Sequence, residues 1–567
     1  MAEQDASIEP SSFDLIVVGT GLPESIIAAA ASAAGKSVLH LDHHSFYGAH
    51  FSSLPLRDLL PFLRSNSPTT TTTTIEDNNS DSNNGTDYVA LPLKPRSLYT
   101  HIEEHQLVSD DDLPLLLGAS REFYLDLSGP RACFCADAAV DLMLKSGASH
   151  HIDFKSVEAT FMYSSGENKL VSVPDSRSAI FKDRSLSLLH KNQLMRFFKL
   201  VQDHCQASGA DDDGNGNGNG NGNDRRISDE DLESPFVDFL NKHRLPPNIK
   251  SIILYAIAMA DYDQDTAELP KNVVKTKRGI ERLALYHSSV GRFVNAQGAL
   301  IYPIYGQGEL PQAFCRCAAV KGALYVLRMP VTDVLIEKES NVYKGVKLKS
   351  GQEIFSNRLV MGPTFTLPPP SVSSSISELQ KESSESVGLG MVKEQVARGV
   401  CIIRGSINAD ISNLLVVFPP HSLHPEQIST VRALQLSSNV HVCPSGLFVL
   451  YLSTICEDAS RGKESLHAAM KTLLTHPSER DESTVTKQNV DTEEKTKPTL
   501  LWSAMYVQEL TEIEGPQDSL DAISRCPVPD GSLDYRNMLE STMKLFHNVC
   551  PGEDIFPERE AVEEPDL

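Results

Sequence analysis

The chain is 567 residues long, more than one compact core accommodates, so two or more folded units are expected. A formal net charge of −24 argues against a nucleic-acid binder, because phosphates are held by Lys and Arg, and against anionic membrane surfaces unless a local basic patch intervenes. Hydrophobic content of 40% with 33 Gly and 33 Pro excludes a fibrous protein.

Met1 to Pro10 is acidic and polar, with no basic segment leading into an apolar run, and ten cysteines are scattered through the chain. A reducing cytosolic setting with free thiols is therefore expected. Asp14 to Val18 reads as a short buried strand. Gly19-Thr20-Gly21 follows, then an alanine-rich helix from Ser25 to Ala34 and a second strand, Ser37 to Leu41, ending in Asp42. This is a β-turn-α-β start of the dinucleotide-binding type, with an acidic residue where a ribose would be held. Leu15 to Ala34 is long enough to suggest a membrane span, but Gly19, Gly21, Pro23 and Glu24 interrupt it.

The third glycine of the fingerprint would fall at position 24, which is Glu. A carboxylate there is bulky where helix and strand pack, and negative where a pyrophosphate would meet the helix N-terminus. Glu24 also suits the first turn of a helix for its own sake. Either way the loop reads as vestigial (Gly19, Gly21, Glu24, Asp42), and no cofactor is expected.

Four stretches offer too little apolar area to build a core: Ser65 to Asp87 with its threonine run, Asp211 to Asp224, Pro368 to Ser386 and His476 to Lys497. They read as disordered inserts or linkers and carry part of the negative charge. Between them, His190 to Val201 has apolar positions at helical spacing, and Pro235 to Ala260 reads as helices. Leu324 to Leu335 and Tyr343 to Leu348 suggest a hairpin-rich sheet. Strands are expected at Leu414 to Phe418, Gly446 to Leu452 and Leu501 to Tyr506, with a closing helix near Leu533 to Val549. The fold class is α+β around an α/β nucleotide-fold core.

Phe13 to Gly48, FDLIVVGTGLPESIIAAAASAAGKSVLHLDHHSFYG, resembles the opening of the GDP-dissociation-inhibitor and Rab-escort superfamily, in which a Gly-Thr-Gly-Leu and a later Tyr-Gly recur. Ile301 to Arg316, IYPIYGQGELPQAFCR, is similar to the Rab-binding platform of that family, in the family's order along the chain. The resemblance implies a surface for GDP-bound Rab built from Tyr47, Glu309, Gln312 and Arg316, with Val326 at a family methionine position. Tyr supplies an amphipathic anchor, and Glu with Arg supplies charge-assisted bonds, as at interface hot spots. The plain alternative is that Glu309 and Arg316 form an intramolecular pair bracing a helix.

The insert Ser65 to Ala90, the chain length and Gln307 all resemble escort proteins rather than dissociation inhibitors. The escort resemblance implies docking onto the Rab geranylgeranyltransferase heterodimer through a Phe and, eleven residues on, an Arg. Phe181 matches the first, but position 192 is Asn192, which supplies neither permanent charge nor a bidentate fork. Weaker transferase binding is expected, with Lys191 and Arg196 partly compensating. The resemblance further implies a large GDI-like domain from residues 13–126 and 237–567, and a helical domain over 127–236 that meets the transferase and shelters the geranylgeranyl lipid. Transient membrane contact and no catalysis by this chain follow from the same resemblance; the alternatives are a dissociation inhibitor and a flavin oxidoreductase.

Cys133-Phe134-Cys135 and Cys315-Arg316-Cys317 lack a matching Cys/His pair at zinc spacing, and are expected to be packed thiols, which on a strand would face the same side. His43-His44 and His150-His151 are expected on surface or loop positions. The chain ends Glu-Glu-Pro-Asp-Leu, with no prenylatable cysteine, so the lipid it handles is expected to belong to a partner.

Overall fold

The computed structural model describes residues 7–68, 87–108, 116, 118–174, 187–212, 226–266, 272–296, 298–367, 392–475, 497–511 and 521–557. The four expected inserts fall almost wholly outside them. The strand Tyr88–Pro92 follows the first of them directly, so the insert expected over Ser65 to Ala90 ends before Tyr88.

Two eight-stranded sheets organise the chain. The first begins with the strand Ser12–Val18, whose alternating Leu15, Val17 and Ile16, Val18 feed separate cores on its two faces. It pairs in parallel with Val38–Leu41 on one side and Glu353–Met361 on the other. Leu324–Val326 extends the edge beyond Val38–Leu41, again in parallel. Beyond Glu353–Met361 the sheet turns antiparallel through Tyr343–Leu348, Val331–Glu337 and Tyr88–Pro92. Val331–Glu337 and Tyr343–Leu348 thus form the expected hairpin, but Leu324–Val326 is a separate strand on the far edge of the sheet, parted from Val331 by a chain with Arg328 at φ 58°.

The glycine-loop helix, Leu22–Ala33, is buried nearly all round, which its alanines permit by letting neighbours approach closely. It packs against Glu309–Val320 and the closing helix Arg536–Val549. The second sheet is antiparallel except where Ala159–Ser164 joins Leu414–Phe418. One face packs on Ala459–Leu473. The other packs on helical segments, with Phe197, Phe236, Phe239, Ile253 and Leu283 meeting Leu415, Val417 and Leu434 in one core. Each such fully buried Phe or Leu contributes roughly 2 kcal/mol of transfer energy.

The boundaries 127 and 236 cut across these elements. Ala159–Ser164 and Lys169–Ser172 are strands of the second sheet, and the helical layer runs on through Thr276–Ser289. Among the described residues no helix is long and apolar enough to cross a membrane.

Candidate functional site

The site is built on the glycine loop, but not as a cofactor pocket. Glu24 is 2% exposed, and its side chain folds back over the loop: a methyl group placed on Gly21 would overlap Glu24 Oε2, and one on Gly362 would lie 3.0 Å from Oε1. The space that a pyrophosphate needs is therefore filled by the chain's own carboxyl. Oε2 has no hydrogen-bond partner, and burial pushes the Glu24 carboxyl up to about 8. A dinucleotide does not fit this loop. The feared clash of helix and strand is avoided because the side chain turns into the cradle instead.

Asp42 is likewise turned inward. Its Oδ2 accepts from the Thr20 amide at 2.8 Å and the Thr20 hydroxyl at 2.6 Å, and its Oδ1 accepts from His44 N at 2.8 Å and contacts His44 Nδ1 at 3.0 Å. Thr20 in turn receives the Gly48 amide on both its carbonyl and its hydroxyl, each at 3.0 Å. Gly48 sits at φ 103°, a conformation that suits glycine, and a Cβ there would press on Ser52 at 3.0 Å. One carboxylate thus clamps both ends of the loop 43–48 that carries Tyr47. His44 is correspondingly a partly buried partner of Asp42 rather than a free surface histidine.

Burial alone would raise the Asp42 carboxyl, but hydrogen bonds from His44 and Thr20 outweigh it and hold it at about 2. Its stabilisation is therefore present above the ordinary carboxylate range and lost as pH falls toward 2. Asp42→Asn should cost about 2 kcal/mol at pH 7, a difference that shrinks to nothing near pH 2 in denaturant titrations.

Glu309 opens the helix Glu309–Val320, which presents Glu309, Gln312 and Arg316 along one side while Leu310, Ala313, Phe314 and Cys317 are buried. Glu309, Gln312 and Arg316 recur at i, i+3 and i+7, the spacing of one helix face. Gln312 Nε2 donates to Glu309 Oε1 at 3.2 Å. Burial pushes the Glu309 carboxyl up, against the field of Arg316 and the bond from Gln312. Arg316 is exposed, and no ion pair joins it to Glu309 among the described residues. The bracing pair is thus not formed, which leaves the guanidinium's donors turned to solvent.

Tyr47 reaches the same region. Its ring meets Tyr325 at 6.1 Å edge-on, and it lies within the field of Arg316. Val326, partly buried, follows Tyr325 on the edge strand, and its carbonyl accepts the Asp42 amide at 3.1 Å. The five expected platform residues therefore belong to one assembly: the Tyr47 loop, the helix Glu309–Val320 and the edge strand after it. Cys315 and Cys317 lie on this helix, not on a strand; both are buried, with Cys315 Sγ 3.3 Å from Ser25 Oγ.

The residues that anchor the helix start escaped sequence reasoning. Asp126 is fully buried and accepts from Ser53 Oγ at 2.6 Å, Tyr302 OH at 2.6 Å and Gln307 N at 3.0 Å. Burial raises its carboxyl to about 6 despite those bonds. Gly306, at φ 96°, lies where a Cβ would run into Ser53 and Asp126. Gln307 Nε2 donates to the Arg131 carbonyl at 2.8 Å, so this residue is a buried loop brace. The only sequence signal for the network is the pair of glycines flanking Gln307.

Phe181 lies outside the described residues. Asn192 is exposed on the helix Leu188–Asp212, one turn before the exposed Arg196, away from the platform elements.

A two-sheet fold with a filled dinucleotide loop and a platform helix beside it defines a class. The family model for GDI, GDP dissociation inhibitor, matches residues 9–83 and 96–514, and the chain belongs to that family. It is 52% identical over 97% of its length to Rab escort protein 1 of Arabidopsis thaliana, covering 95% of that protein. It is 25% identical to Rab proteins geranylgeranyltransferase component A 2 of Mus musculus, covering 97% of each. Among solved structures, a Rab GDI from Plasmodium falciparum shares the fold at a TM-score of 0.65 with 17% identity, covering 96% of this chain and 99% of that one.

Proposed function

We propose that this chain is a Rab escort protein. It binds GDP-bound Rab, presents it to Rab geranylgeranyltransferase for prenylation of C-terminal cysteines, and delivers the prenylated Rab to membranes. The observation that carries this reading is the 52% identity, spread over 97% of the chain, to a plant Rab escort protein. Tyr47, Glu309, Gln312, Arg316 and Val326 form the Rab-binding surface, on a mount held rigid by Asp42 and Asp126. The chain is an accessory protein, and the prenyl transfer is done by the transferase.

The escort has a physical task. Each buried CH₂ is worth ~0.8 kcal/mol, so an unshielded geranylgeranyl chain aggregates or enters any membrane. A cytosolic carrier that covers the lipid, with brief membrane contact at delivery, meets that need. The transferase contact runs through Phe181 and Asn192, and Lys191 and Arg196 make up only part of the charge that Asn192 lacks.

Reconstitution of transferase, GDP-Rab and prenyl diphosphate with and without the chain tests the proposal: prenylation should depend on it. No stimulation at any concentration, with Rab binding intact, leaves a dissociation inhibitor instead. Asn192→Arg should tighten transferase binding about tenfold, since a charge-assisted bond adds roughly 1.5 kcal/mol. An unchanged affinity in titration calorimetry would mean that position 192 does not touch the transferase.

A further inference from the structure

Between the helical layer and the second sheet lies a cleft of about 620 Å³, lined by none of the platform residues. Its floor is the chain after the wide helical turn Ile252–Ile257, which ends with Met259 at φ 58°. A non-glycine residue in the left-handed region marks backbone held under constraint, and π-type turns recur at functional sites. Here the constraint aims the Met259 and Ala260 carbonyls at Arg432 Nη2, at 2.9 and 3.2 Å.

Four cationic side chains line the cleft: Lys275, Arg278, Arg282 and Arg432. In a chain of net charge −24 that concentration is unusual, and two of the four are at least nine-tenths buried, Arg282 at 7% and Arg432 at 3% exposed. Three carboxylates, Asp261, Glu394 and Asp534, line it as well. Asp261 pairs with Arg432 at 2.6 Å, and Asp534 pairs with Arg282. Lys275 pairs with the exposed Glu233 at 2.6 Å, while Arg278 Nη2 donates to Asn537 Oδ1 at 3.1 Å and its carboxylates, Glu281 and Glu540, stand farther off at 3.6 and 4.0 Å.

Arg278 and Arg282 are one turn apart on the helix Thr276–Ser289, and like charges at that spacing repel. Arg536 of the closing helix adds a third guanidinium, and it shares the loosely held Glu281 carboxylate with Arg278, each at 3.6 Å. Burial, then Arg536 and Arg278, hold the Arg282 guanidinium down to about 10. An arrangement that costs stability in the empty protein is relieved by an anion between the guanidiniums. Arginine forks match the oxygens of a phosphate group.

We propose that this cleft binds a small molecule bearing a phosphate or diphosphate group, gripped by Arg278, Arg282 and Lys275. The volume falls within that of small-molecule sites, so it admits either the free anion or its ester.

Titration calorimetry of the full chain with inorganic diphosphate, and separately with ADP, tests this. One saturable site is expected. Binding by inorganic diphosphate alone assigns the free anion; tighter binding of ADP assigns an ester. Arg278→Ala should weaken binding at least tenfold with the melting temperature unchanged, and Arg278→Lys should lose less. Lys275→Ala gives a second variant in case the first is unstable. No saturable binding up to about 1 mM, a Kd at which association is worth only ~4 kcal/mol, would overturn the proposal. So would binding that both alanine variants leave intact. Rab binding, measured in parallel, does not depend on the outcome.

Discussion

Replacing Arg316 by alanine should weaken binding of GDP-bound Rab at least thirtyfold, about 2 kcal/mol, while leaving the melting temperature within a degree of the parent. The two halves of that expectation come from separate observations. Arg316 is exposed and makes no ion pair with Glu309, so folding gains little from it. Alanine also has the best helix propensity, so Glu309–Val320 does not suffer. For the partner the position is different. A guanidinium beside Tyr47 and Glu309, with all its donors available, can make paired bonds to a carboxylate as the interface closes and water leaves. Tyr47→Ala should behave similarly through lost apolar area. Calorimetry with GDP-Rab and a thermal melt of the same samples decide the matter. A variant that melts early and binds poorly would return Arg316 to a structural role.

The β-turn-α-β start was legible because apolar runs and glycines act locally: Ser12–Val18, Leu22–Ala33 and Val38–Leu41 lie within three residues of their expected places. The platform residues were legible from family resemblance, not from pattern. What escaped was long-range. Asp126 gathers Ser53, Tyr302 and Gln307 from sequence-distant segments, and no spacing rule links them. Leu324 to Leu335 has the composition of a single strand, yet it breaks at Arg328, and only its second half joins the hairpin while the first lies on the far edge of the sheet. Leu310, Ala313, Phe314 and Cys317 carry the helical spacing that places Cys315 and Cys317 on a helix, where a same-side strand arrangement of the two thiols does not apply. Ala159–Ser164 pairs with Leu414–Phe418, more than two hundred positions later, a partnership that no local pattern shows.

Glu24→Gln should stabilise the protein in alkaline solution and do nothing in acid. In the unfolded chain Glu24 ionises near 4.5, while in the fold burial delays ionisation to about 8. Below the first value both states hold the proton, and the side chain imposes no electrostatic cost. Between the two, only the unfolded state releases it, so stability falls as pH rises. Above about 8 the cost is complete, on the order of 5 kcal/mol. Glutamine stays neutral, so its advantage should open across that window and reach a few kcal/mol at pH 9. Asp126, raised to about 6, bends both curves in the same direction, and the difference between variant and parent isolates Glu24. Denaturant titrations at pH 4.5, 7 and 9 supply the three points. Equal stability at pH 9 would mean that the carboxyl escapes to solvent and leaves the cradle over Gly19 and Gly21 open. The loop would then be free for a pyrophosphate, and the chain should take up flavin, with its visible absorbance. A gain at pH 9 means that the carboxyl stays in the cradle and keeps the loop closed to a pyrophosphate.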